Sequence, residues 1–172
     1  MKKILIHLLK PLSFLPAILM MYLIYSFSAQ TGEVSGALSY EVSYQIVETK
    51  NEVLNENKTY DELAYSASSI EFYVRKAAHM TEYCLLAIAI SFPLYVYGVR
   101  GIWLILLAGA ICVGFAGFDE YHQSFVADRG PSVRDVGIDS IGVFAGIIMM
   151  QFICFLGRVT LFRPLARKRK EN

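Results

Sequence analysis

The sequence predicts an all-α integral membrane protein. The expected form is a four-helix bundle with one or two short amphipathic helices in an outer segment between spans one and two. Three observations predict it. Four apolar runs are each close to the roughly 20 residues that cross a bilayer's hydrocarbon core. The 172-residue chain is 55% hydrophobic and only 18% charged, with a mean hydropathy of +0.44, whereas soluble domains carry about 25% charged residues. No series of alternating segments of about ten residues, as a barrel requires, is present. Backbone groups in lipid must pair internally, so the spans are helices. The same composition excludes a disordered chain and a water-soluble single-core enzyme.

Span one covers residues 11–29 (PLSFLPAILMMYLIYSFSA). Its basic start, Lys2 and Lys3, and the Ser26-Phe27-Ser28 context also suit a cleaved secretory signal. Lys10 interrupts the early apolar stretch and the following run is long for a signal core, which favours a retained helix. The outer segment, 30–73, holds eight acids against Lys50 and Lys58. Leu38, Val42, Ile46 and Val53 follow a helical period, predicting an amphipathic helix on the bundle or in the interface. Thr59-Tyr60-Asp61-Glu62 fits a capping box that would open a second short helix. Span two covers 74–97, with its polar residues in the first two turns, span three 101–118 and span four 136–156. The Gly142/Gly146 and Ala110/Gly114 pairs suit close helix approach. Trp103 reads as an interface anchor, His7 as an interfacial residue. Cys84, Cys112 and Cys154 lie in apolar runs without a CxxC and read as small buried hydrophobes. The whole chain, 1–172, reads as one membrane domain.

Lysine and arginine asymmetry sets orientation. Lys2, Lys3 and Lys10 precede span one, Arg100 lies between spans two and three, and Arg158, Arg163, Arg167, Lys168, Arg169 and Lys170 follow span four. Both termini, including the basic tail 158–172, are expected in the cytoplasm, with 30–73 and 119–135 outside. The basic run follows an apolar span and suits a membrane surface, so nucleic-acid binding has no support.

On this topology the unusual polar residues gather at one face. Arg75, Lys76, His79 and Glu82 occupy the outer end of span two, with Arg75, His79 and Glu82 on one helix face. Asp119, Glu120, His122 and Gln123 end span three. Arg129, Arg134 and Asp135 lead into span four, and Asp139 lies one turn deeper. Ser26, Ser28 and Gln30 close span one. Ionisable groups within spans are costly and mark sites by default. Arg75 and Lys76 at a helix start, and Asp119 and Glu120 at a helix end, oppose the macrodipole; mutual pairing across the bundle would relieve both. Counting Asp128 but leaving the histidines neutral, the cluster carries −2. A divalent metal ion is admitted by this charge and not demanded by it. Asp135 has an ordinary role open to it, since Ser132-Val133-Arg134-Asp135 also fits a capping box.

These same strings carry a resemblance. Ser26-Phe-Ser-Ala-Gln30, Arg75-Lys-Ala-Ala-His79-Met-Thr-Glu82-Tyr83, Asp119-Glu-Tyr-His-Gln123-Ser-Phe125 and Arg129…Arg134-Asp135…Asp139-Ser-Ile-Gly142 resemble the VanZ-like family of bacterial membrane proteins. The resemblance implies a small protein of the bacterial cytoplasmic membrane, and the family's namesake is associated with teicoplanin resistance. It implies no assigned reaction. Where members often have a glycine before the loop arginine, this chain has Asp128.

The expected function is recognition of an anionic amphiphile of the cell envelope, such as a lipid-linked phosphate or a wall precursor. Arg75, Arg129 and Arg134 would hold the anion, with Lys76, Gln123, Asp135, Asp139, Ser28 and Gln30 completing the binding set. If chemistry occurs, His79 or His122 serves as base and Glu82, Asp119 or Glu120 as acid, water positioner or ligand. A non-catalytic binder that shields an envelope target is the alternative. A transporter fits least, because the inner halves of the spans lack polar groups and paired helix breaks.

Overall fold

A computed structural model describes residues 10–158. Lys2, Lys3, His7 and the tail bases from Arg163 to Lys170 lie outside the described residues. A 3-10 turn, Lys10–Phe14, leads into α1 (Leu15–Ser28), followed by α2 (Gly32–Leu54), α3 (Tyr60–Val96), α4 (Ile102–Gln123) and α5 (Val133–Gly157). The described residues contain helices and no strand. Four stretches are long and apolar enough to cross a membrane: Lys10–Ser28, Tyr60–Val96, Ile102–Gln123 and Val133–Gly157. Their outward side chains are apolar, including Leu106, Ile111, Phe118, Ile148 and Phe152. In water that exterior would be an apolar patch far beyond what monomers tolerate; in lipid it is required.

The outer segment forms one amphipathic helix rather than two separate short ones. The Thr59 capping box is present: Thr59 N donates to Glu62 Oε2 at 2.8 Å, and Glu62 N to Thr59 Oγ1 at 3.4 Å. It opens not a short helix but the 37-residue α3, which runs on through span two. No glycine occurs between Tyr60 and Val96, and the one proline, Pro93, sits near the far end, so nothing breaks the helix where lipid begins. At 1.5 Å per residue α3 is roughly 55 Å long, against a hydrocarbon core of about 30 Å.

The first turns of α3 pair with α2 as an antiparallel hairpin. Ser43 and Val47 of α2 are buried, as are Leu63 and Ala67 of α3. Asn55, in the left-handed region at φ 51°, ends α2, and Asn51 Oδ1 accepts from Lys58 N at 3.0 Å to close the turn. The packed face of α2 carries Ser43 and Val47, while Leu38, Val42, Ile46 and Val53 stay exposed. Of the two places open to that stripe, on the bundle or in the interface, it is not the surface that docks α2 on α3. Small side chains let two helices approach closely.

α3 touches every other element. Its Tyr83, Leu86, Ala87 and Ile90 share a core with Ala17 and Ile24 of α1, Leu104, Ala108 and Cys112 of α4, and Val143 and Ile147 of α5. The tightest approach is α3 to α5. A Cβ on Gly142 would collide with the Met80 carbonyl, and one on Gly146 with the Cys84 carbonyl. Ala110 and Gly114, the other small pair, are exposed, with open space beside Gly114, and do not pack. The three cysteines are free, and only Cys112 is fully buried.

Substituting Gly142 by Ala should therefore destabilise by about 1–3 kcal/mol, as overpacking does. Gly137→Ala, on the same helix with open space around it, should stabilise by roughly 0.5–1 kcal/mol through helix propensity. Thermal unfolding of both variants in one detergent checks the contrast.

Candidate functional site

α3, α4 and α5 present their ionisable groups, and α1 its Ser28, at the same end of the bundle, where the α4–α5 loop folds over the α1–α2 junction. Gly32 N donates to Ala127 O at 3.0 Å, and a Cβ on Gly32 would collide with the Asp128 carbonyl. Asp128 adopts φ 57°, the left-handed region that aspartate tolerates better than most residues. The turn is thus made by an aspartate, which adds one charge to the loop.

The pairing differs from the expected one. Arg75 and Lys76 do not pair with Asp119 and Glu120. Because α3 begins at Tyr60, both bases are mid-helix and oppose no dipole; the true first turn carries Asp61 and Glu62, as the macrodipole favours. Arg75 Nη2 meets Glu71 Oε1 at 2.6 Å, one turn back on its own helix, and Lys76 Nζ meets Asp135 Oδ2 of α5 at 2.6 Å. Asp135 is consequently not the reciprocal partner in the α5 cap. Ser132 Oγ accepts from Arg134 N at 3.2 Å, while Ser132 N donates to Glu120 Oε2 of α4 at 2.8 Å. Glu120 does from a neighbouring helix what a capping-box acid does from within. Its charge, unfavourable at the end of α4, lies at the positive end of α5.

Asp119 is buried and accepts from Gln123 Nε2 at 3.2 Å. Ser28 Oγ of α1 and Tyr83 OH of α3 flank the same carboxylate without meeting hydrogen-bond geometry, and its Oδ1 is unpartnered. Arg129 reaches back across the loop: Nε donates to Gln30 O at 3.1 Å and Nη2 to Phe27 O at 3.3 Å, so it satisfies carbonyls at the end of α1. Burial, and after it the charge of Arg75, pulls the Arg129 guanidinium below its ordinary value. It stays protonated, since that value lies far above neutrality.

Two cavities adjoin here. One, of about 190 Å³, has apolar walls from Ile24, Phe27, Leu38 and Ala78, with Ser28, Gln30, Glu82 and Asp119 around them. The other, of about 210 Å³, is polar, lined by Lys76, Glu120, Gln123, Asp128, Asp135 and Asp139. Arg75, His79 and Arg129 line both. Two expected residues fall outside. Arg134 is exposed and lines neither cavity. His122 packs its ring on Tyr25 of α1, centroids 4.6 Å apart, and lines neither cavity.

The structure adds residues the sequence did not single out for the site. Ser35 and Ser39 of α2 line the first cavity. Their signal was the i, i+4 serine series Ser35, Ser39, Ser43. Tyr83, fully buried, brings a hydroxyl into a span, and a buried tyrosine hydroxyl usually has a polar partner. Among the described residues no group of three or more His, Cys, Asp or Glu side chains is placed to hold a metal ion; arginines and a lysine stand between the acids. The divalent ion admitted by the charge count therefore has no ligand set here.

A family model described as VanZ/LLP1 matches residues 13–155. The chain belongs to the VanZ-like family. The match runs from span one to the end of span four and contains both cavities. No curated protein and no solved structure matches the chain. The VanZ-like identity and the four long apolar helices describe a membrane protein of a family whose namesake is linked to glycopeptide resistance.

Glu120→Ala strands the Ser132 N–H at the start of α5 and should cost about 1–3 kcal/mol. Glu120→Gln keeps an acceptor and removes one charge from a net-negative cluster, so its stability should stay within about 1 kcal/mol of the parent. Unfolding midpoints of the two variants give the comparison. A double-mutant cycle on Lys76 and Asp135, whose side chains are only 19% and 25% exposed, should show coupling at or above the roughly 1 kcal/mol ceiling of surface pairs.

Proposed function

We propose that this VanZ-like protein recognises an anionic, lipid-linked molecule of the bacterial envelope. The observation that carries the reading is the shared wall of Arg75, His79 and Arg129 between an apolar-walled and a polar cavity. An amphiphile has that division. Its hydrocarbon would lie along Ile24, Phe27 and Leu38, and its phosphate or carboxylate would sit at the arginines, which suit planar oxyanions. Arg75 Nε is buried without a partner, and Lys76 adds charge on the polar side. Asp119 and Glu82 line the apolar-walled cavity beside the arginines. On the positive-inside rule the polar end faces outward and both termini lie in the cytoplasm.

If the site also performs chemistry, His79 is the favoured base, because it lines both cavities and His122 lines neither. Glu82 or Asp119 would then position water or donate a proton. A shield that covers an envelope target needs only the binding groups.

Binding of a polyprenyl phosphate, against the matching polyprenyl alcohol, to the protein in nanodiscs tests the reading. The phosphate should bind, and Arg75→Gln should weaken it about tenfold or more, the loss of a hydrogen bond to a charged group. Arg134→Gln should leave it unchanged. Equal binding of phosphate and alcohol would refute the assignment. His79→Gln that retains binding but stops turnover marks an enzyme; graded losses confined to the arginine variants mark a shield. Expression of the parent should also lower teicoplanin susceptibility in a sensitive host, and Arg75→Gln should not.

A further inference from the structure

The opposite end of the bundle carries a separate cavity of about 220 Å³, lined by Tyr95, Arg100, Gly101, Gln151, Phe155 and Arg158. Two guanidinium-bearing residues border one space, from the α3–α4 turn and from the end of α5. The Cζ of Arg100 lies 5.0 Å from the centroid of the Tyr95 ring, so the ring face holds that cation in place. Gln151 Nε2 donates to Gly101 O at 3.3 Å and ties α5 to the turn, which fixes the separation of the two bases.

Among the described residues no carboxylate belongs to this half of the bundle. The sequence has no Asp or Glu between Glu82 and Asp119, and none between Asp139 and Glu171. Neither arginine has an ion pair among the described residues. α4 also starts here without a side-chain cap, so its first N–H groups add the positive end of a dipole. Like charges near a low-dielectric phase need a counter-ion, and among the described residues none stands beside them. Ile102, Trp103 and Phe155 are exposed next to the cavity, as a site reached from hydrocarbon requires.

We propose that this cavity binds the phosphodiester of an anionic membrane lipid, in the leaflet opposite the polar site. Arg100 and Arg158 grip the phosphate oxygens, and the acyl chains run along the exposed apolar residues of α4 and α5. The site is independent of the amphiphile reading above and shares no residue with it.

The experiment uses the full chain, purified in detergent, with phosphatidylglycerol, phosphatidylcholine and inorganic phosphate as probes. Lipid retention is read by native mass spectrometry and Tm by thermal unfolding. Phosphatidylglycerol should be retained in preference to phosphatidylcholine and should raise Tm. Arg100→Gln/Arg158→Gln should reduce that preference roughly tenfold or more, as expected for two basic residues at a lipid surface. Should the double variant fail to fold, Arg158→Gln alone, at an exposed helix end, should reduce it several-fold. An unchanged preference in either folded variant overturns the proposal. So does equal retention of phosphatidylcholine, and so does protection by millimolar inorganic phosphate equal to that by the lipid, which would make this a site for free anions.

Discussion

The hydrocarbon core of a bilayer offers no partner to a charge, and the polar end of this bundle is organised by that constraint. Several of the ionisable groups there are met from a different element or by a residue one turn away. Glu120 of α4 holds the first N–H of the α5 cap, Asp135 of α5 takes Lys76 of α3, and Arg129 of the α4–α5 loop takes the last carbonyls of α1. These contacts cross helix boundaries, so they fix how the four spans meet at one end. The cavities are what remains between them.

Helix packing sets the distances at which those contacts form. Gly142 and Gly146 let α5 sit against the backbone of α3, and that approach brings Asp135 within 2.6 Å of Lys76. Replacing the glycines would move the polar end as well as the core. The uninterrupted α3 has a similar reach. It carries Arg75, His79 and Glu82 on one continuous face and then extends past the bundle, where α2 covers it with the face that carries Ser43 and Val47. That cover is why Ser35, Ser39 and Leu38 line the first cavity.

The two ends differ in how they handle charge. At the polar end acids and bases are interleaved, and pairs within the chain consume much of the charge. At the other end Arg100 and Arg158 stand without acids among the described residues, which leaves neutralisation open to the surroundings. The proposed amphiphile and the proposed lipid are thus drawn by different means: one by a shaped, mixed-charge site, the other by unopposed positive charge.

Four helical spans and the gathering of costly side chains at one end followed from the sequence alone. Apolar length and side-chain placement are local properties, and a bilayer turns them directly into topology. The family strings were legible for the same reason, being short and contiguous. Partner choice was not legible. Thr59 looked like the start of a short helix because nothing local says that α3 runs on through the bilayer; only the absence of a breaker does. Asp135 looked like a capping acid, yet Glu120 took that place, because helix approach at Gly142 put Lys76 within reach of Asp135. The stripe of Leu38, Val42 and Ile46 suited either the bundle or the interface, and only the packing of α2 on α3 through Ser43 and Val47 left it exposed. Which side chain meets which depends on distances between helices, and those are set by packing that no single segment encodes.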